Sequence, residues 1–75
     1  MTSYKRIGAV KITLQVLRFL SDQKEPVSGK EIARGLNIPH GTVMCYLATL
    51  EDGQCVSGIG DKYEIGQGIA YIWAR

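Results

Sequence analysis

Apolar residues recur at helical spacing through the first third of the chain. Val10, Leu14, Leu17 and Leu20 or Ser21 follow an i, i+4, i+7 rule, and Ile7, Thr13, Val16 and Phe19 widen the stripe. Lys11, Gln15, Arg18 and Asp22 fall on the opposite side. The pattern predicts an amphipathic helix from about Ile7 to Asp22. Gln23-Lys24-Glu25-Pro26 ends it, because proline cannot continue a helix and drives Glu25 to extended geometry. Pro26-Val27-Ser28 then reads as a short extended piece.

Ser28-Gly29-Lys30-Glu31 has the form of a capping box. The Ser28 hydroxyl accepts from the N–H of Glu31, and the Glu31 carboxylate reaches back to the N–H of Ser28. A second helix of about two turns starts there, with Ile32, Ala33 and Leu36 on its apolar side and Gly35 near its end. Asn37-Ile38-Pro39 forms the next break, and Pro39 suits the first turn of a third helix, where its missing N–H costs nothing. That helix runs from about Pro39 to Glu51, with Val43, Leu47 and Leu50 as its buried stripe, Tyr46 beside them, and Gly53 as its stop.

Cys55 to Ile59 and Lys62 to Ile65 are strand-like runs on either side of Gly60-Asp61, which predicts a β-hairpin. Gly66 and Gly68 bracket the start of a last apolar stretch, Ile69 to Arg75, expected to begin a further helix. Helices two and three are joined by a tight turn. The order predicts a mainly α fold with a small β-hairpin: a winged helix-turn-helix with a three-helix core, a wing and a C-terminal helix.

Composition narrows the function classes. At 75 residues the chain is a single domain, 1–75, with a thin core, and its 45% hydrophobic content argues against disorder. No apolar run reaches the roughly 20 residues of a membrane span, and the N-terminus lacks a signal core, so a cytoplasmic location is expected. Cys45 and Cys55 have no CxxC spacing and the chain has a single histidine, His40, which predicts free thiols and no metal site. No Ser/His/Asp or Cys/His constellation is present, and Gly58-Ile59-Gly60 lies in a hairpin rather than between a strand and a helix, as a phosphate loop would. Neither catalysis nor a cofactor is expected.

Nine Lys or Arg against seven Asp or Glu give a net charge of +2, which permits a nucleic-acid partner without demanding one. Lys5, Arg6, Lys11 and Arg18 place four positive charges and no acid in the first 20 residues. They form either a solvated face or a surface for phosphates, with Lys5, Arg6 and Lys11 as the candidate backbone contacts.

The run from Val27 to Val43, continuing through Leu47-Ala48-Thr49-Leu50, resembles the N-terminal DNA-binding domain of IclR-type transcription regulators. The matching elements are Ser28-x-x-Glu31-Ile32-Ala33, Gly35-Leu36, Thr42-Val43 and Leu47-x-Thr49-Leu50. Tyr63-Glu64-Ile65-Gly66, after the wing, is similar to that family's return into a linker helix. The resemblance implies a transcription regulator whose third helix enters the major groove of double-stranded DNA. IclR-type regulators carry an effector domain after the linker helix. Because this sequence ends at Arg75, a free-standing domain of the kind a phage or mobile element encodes is expected, with no small-molecule effector.

On that reading His40, Gly41, Thr42, Met44, Cys45, Ala48 and Thr49 point outward from the third helix. Gly41 allows close backbone approach, Thr42 can bond a phosphate or touch a thymine methyl, and His40 can donate to phosphate or base. Met44, Cys45 and Ala48 offer apolar or weakly polar contacts, although Met44 and Cys45 can equally turn inward as minor core. Ser28, Gly29 and Lys30, at the start of the second helix, suit a phosphate, while Lys62 is the wing's only cation, with Asp61 beside it. The third helix has no Arg or Lys, so readout through DNA shape is expected, and a second reading stands beside the first. In it, the bare helix grips a protein partner. In the apolar tail, Ile69 and Ile72 are expected to pack on the first helix, while a homodimer through the Tyr71-Ile72-Trp73 segment is the alternative that would serve two half-sites.

Overall fold

The computed structural model describes residues 7–66, and the expected C-terminal helix lies outside them. The elements run α1 (Gly8–Ser21), β1 (Val27–Ser28), α2 (Gly29–Leu36), α3 (His40–Asp52), β2 (Val56–Ile59) and β3 (Lys62–Ile65). Three helices thus pack with a small antiparallel sheet of order β1-β3-β2.

The local signals that start and stop the helices are geometric facts of the fold. The capping box forms: the Glu31 N–H donates to the Ser28 hydroxyl at 3.2 Å, and the Ser28 N–H donates to the Glu31 carboxylate at 3.2 Å. α2 ends at Asn37, whose φ of 57° is left-handed. Ile38 N–H bonds the Ala33 carbonyl at 3.0 Å and Asn37 N–H bonds that of Arg34 at 3.4 Å, the paired closure of a Schellman motif. The end of α3 repeats it. Cys55 N–H bonds the Leu50 carbonyl at 2.9 Å and Gln54 N–H bonds that of Glu51 at 3.0 Å.

At the ends of α3 one expectation needs correcting and the other holds. Pro39 is the residue before the helix, extended at φ −55° and ψ 139°, rather than its first helical residue. Gly53 is the stop, the cap directly after Asp52, though its φ of −89° is not left-handed and Gln54 takes that conformation at φ 62°. A glycine one residue early leaves the strained position to a residue with a Cβ.

The core joins Val16 and Leu20 of α1, Val27 of β1, Ile32 of α2, Val43 and Leu47 of α3, and Val56 of β2. Phe19, Leu36, Leu50, Tyr63 and Ile65 pack around it. The inward side of α1 therefore differs from the stripe read in the sequence. Ile7, Val10 and Leu14 are 65%, 53% and 61% exposed. At roughly 100° per residue they lie almost opposite Val16 and Leu20. Apolar residues ring most of α1, so periodicity alone does not choose a face. The choice follows from α2 and β3, which both pack against α1.

β1 is the other departure. The two-residue piece Val27-Ser28 joins the hairpin as a third strand, with Val27 opposite Tyr63 and Ser28 opposite Lys62. The hairpin turns on Gly60-Asp61, with Gly60 at φ 64° in the first central position, where glycine is needed. Gly66 locks the returning strand: its N–H bonds the Cys55 carbonyl at 2.9 Å, and a Cβ there would strike the Gln54 carbonyl oxygen. The Tyr-x-Ile-Gly pattern after the wing thus has a steric cause.

Candidate nucleic-acid interface

α3 turns Val43 and Leu47 wholly into the core. The opposite side leaves His40, Gly41, Cys45, Ala48 and Thr49 exposed, with Thr42 half-buried at its margin. Cys45 is a free thiol, and the Thr49 hydroxyl donates back to the Cys45 carbonyl at 3.1 Å. A Cβ at Gly41 would meet nothing within 4 Å, so the helix backbone is openly approachable there. Met44 is half-buried and packs against the core, with its thioether turned toward α2.

The start of α2 sits beside the start of α3. Gly29 is buried, and a Cβ built on it would stand 2.5 Å from the Met44 sulfur and 3.5 Å from His40 Nε2. Lys30 follows, exposed. The Ser28 hydroxyl is already engaged by the Glu31 N–H and lies 3.3 Å from the Glu31 carboxylate. Lys62 comes to the same corner from the wing, because its position on β3 is directly opposite Ser28. Cross-strand neighbours share a face of the sheet with Cβ atoms about 5 Å apart. Ser28, Gly29, Lys30, His40 and Lys62, separated by up to 34 positions in sequence, are therefore grouped at one end of α3. The positive end of the α2 dipole lies in the same corner.

The far end of α3 has the opposite character. Its last turn holds Glu51 and Asp52 and no base. The Glu51 carboxylate lies over Gly58 of the wing, 2.9 Å from where a Cβ would stand. Glu51 and Gly58, together with Gln54, Ser57 and Glu64, line an open acidic cleft. Among the described residues no three His, Cys, Asp or Glu side chains are grouped to hold a metal ion, and no helix is long and apolar enough to cross a membrane.

Of the remaining candidates, Lys11 is exposed on α1, away from the buried face. Lys5, Arg6 and the Tyr71-Ile72-Trp73 segment lie outside the described residues. Sequence reasoning had named the residues of the corner separately but missed that Lys62 stands across from the cap of α2. The strand of two residues that brings them together is too short to carry a periodic signal. It also missed Gly29 as the floor under Met44 and His40, for which the sequence gives no sign beyond a glycine inside a capping box.

Residues 9–57 match the family model for the IclR helix-turn-helix domain. An IclR transcriptional regulator from Alicyclobacillus acidocaldarius has a similar structure, with a TM-score of 0.88 at 28% identity over 95% of this chain and 30% of that one. An IclR family transcriptional regulator from Brucella abortus aligns with a TM-score of 0.82 at 21% identity over 99% of this chain and 29% of that one. HmgR from Pseudomonas aeruginosa aligns with a TM-score of 0.81 at 16% identity over 91% and 29% of the two chains. The last two likenesses bear on the fold alone. The chain spans less than a third of the length of each of these proteins. No curated protein matches it. The capping box, the paired Schellman closures, the β1-β3-β2 sheet and the family match over residues 9–57 agree, and the chain belongs to the IclR helix-turn-helix family.

Proposed function

We propose that this domain binds double-stranded DNA as the reading head of a transcription regulator, with the N-terminal half of α3 in the major groove. The observation that carries the proposal is the corner where Lys62 of the wing, the capped start of α2 with Lys30, and His40 of α3 converge beside an exposed helix face. A duplex lying on that face sets one strand's phosphates against Lys30, Lys62 and the α2 N-terminus. The same pose puts Gly41, Thr42, Cys45 and Thr49 over the base edges. None of these makes the bidentate contact of an arginine with guanine. Direct readout is accordingly sparse, and sequence preference comes mostly from DNA shape.

Titration against mixed duplex DNA at low and at moderate salt tests the proposal. A domain held by phosphates loses affinity along a log–log slope of about 0.9 per phosphate neutralised. No binding even at low salt would overturn DNA recognition and leave a protein partner for the same helix face.

A further inference from the structure

We infer that Gly29 is a positioning residue for DNA recognition: its missing side chain makes the notch in which Met44 and His40 of α3 are seated. The inference rests on the DNA-binding reading above. Gly29 is buried at the first position of α2, where helical geometry alone does not require glycine. Its backbone is not left-handed, since among the described glycines only Gly60 has a positive φ. What excludes a side chain is the neighbour. A Cβ would stand 2.5 Å from the Met44 sulfur, too close for both to keep their places, while His40 Nε2 at 3.5 Å and Cδ2 at 3.7 Å would be in ordinary contact. Both contacts come from α3, four residues apart, and so from the same helix face.

The consequence differs from that of a tight backbone contact. A thioether on an unbranched, flexible chain yields readily. Alanine at position 29 therefore leaves the fold intact, since alanine is also the better helix former. The Met44 side chain must go elsewhere, and its way into the core is closed by Val43 and Leu47, which are both fully buried. It moves outward along α3 toward the face that carries Gly41 and Cys45. Gly29 thus keeps an apolar side chain out of the groove-facing surface.

The test uses the full 75-residue chain carrying Gly29→Ala, Met44→Ala, or both. Duplex affinity, the thermal midpoint and the Met44 methyl resonance in ¹³C NMR are read for each. Gly29→Ala is expected to shift the methyl line and weaken duplex binding roughly tenfold, the scale of one misplaced contact, with little change in midpoint. Adding Met44→Ala is expected to restore affinity to that of Met44→Ala alone, because the colliding group is gone. If the original chain binds duplex and Gly29→Ala binds equally well with an unmoved methyl line, the inference fails while DNA recognition stands. If weakening persists unchanged in the double variant, the Met44 contact is not its cause and the inference also fails. If the original chain binds no duplex, DNA recognition itself fails and the role given to Gly29 falls with it.

Discussion

A glycine packs against the start of α3 and another against the segment that directly follows it, and the two contacts differ in kind. At the N-terminal end Gly29 faces the thioether of Met44 and the ring of His40, which are side chains that can move. At the C-terminal end Gly66 faces the carbonyl oxygen of Gln54 and the carbonyl carbon of Cys55, which are backbone that cannot. The charges differ in the same sense. Lys30 and Lys62 accompany the first end, while Glu51, Asp52 and Glu64 accompany the second. On the proposed reading, the first end of the helix is the one that meets DNA. The other ties the end of β3 to the segment after the helix, and the register of β3 sets Lys62 opposite Ser28.

The sharpest way to break this comparison is to fill the anchoring glycine. Gly66→Ala is expected to cost about 3 kcal/mol, because the new Cβ forces backbone apart at a buried site. Urea denaturation of the two chains measures it directly. A loss equal to that of an exposed glycine would show that the wing is not locked at Gln54. A carboxylate in the middle of the exposed α3 face comes next. Cys45→Glu is expected to weaken duplex binding about a hundredfold through repulsion from phosphates, with an unchanged thermal midpoint because Cys45 is exposed.

Removing the two cations together tests whether the corner acts as a unit. Lys30→Ala with Lys62→Ala is expected to lower the salt slope by about 2, one phosphate for each lysine. A slope reduced by neither substitution would place the phosphates elsewhere, for example along Lys11 of α1. The smallest effect is expected at the left-handed residue after α3. Gln54→Gly removes the crowding of a Cβ at φ 62° and is expected to stabilise the domain by about 0.5–1 kcal/mol, read as a rise in thermal midpoint. Duplex affinity should not change, because Gln54 lies at the acidic end.

These effects also mark what was legible in the sequence. The capping box, the break at Asn37-Ile38-Pro39 and the Val43/Leu47 stripe could be read because each is a local chemical signal of known geometry. The buried face of α1 could not. Ile7, Val10 and Leu14 satisfy helical periodicity as well as Val16 and Leu20 do, and only the placement of α2 and β3 separates them. The stop at Gly53 was legible, but the left-handed residue after it was not. Glycine is the usual left-handed residue, yet the hydrogen bonds of the Schellman closure fall one residue later, on Gln54. Within the candidate interface the residue types were legible and their meeting was not, since a strand of two residues brings Ser28 to Lys62.

The claim that one end of α3 reads DNA while the other does not is tested most directly by adding a short duplex to the ¹⁵N-labelled domain. The backbone amide resonances then report which residues the duplex reaches. The account predicts that Gly29, Lys30, Gly41, Thr42, Cys45 and Lys62 shift in proportion to duplex added, with Asp52, Gln54 and Glu64 unmoved. Shifts centred on Asp52, Gln54 and the acidic cleft, or no shifts anywhere at low salt, would contradict it.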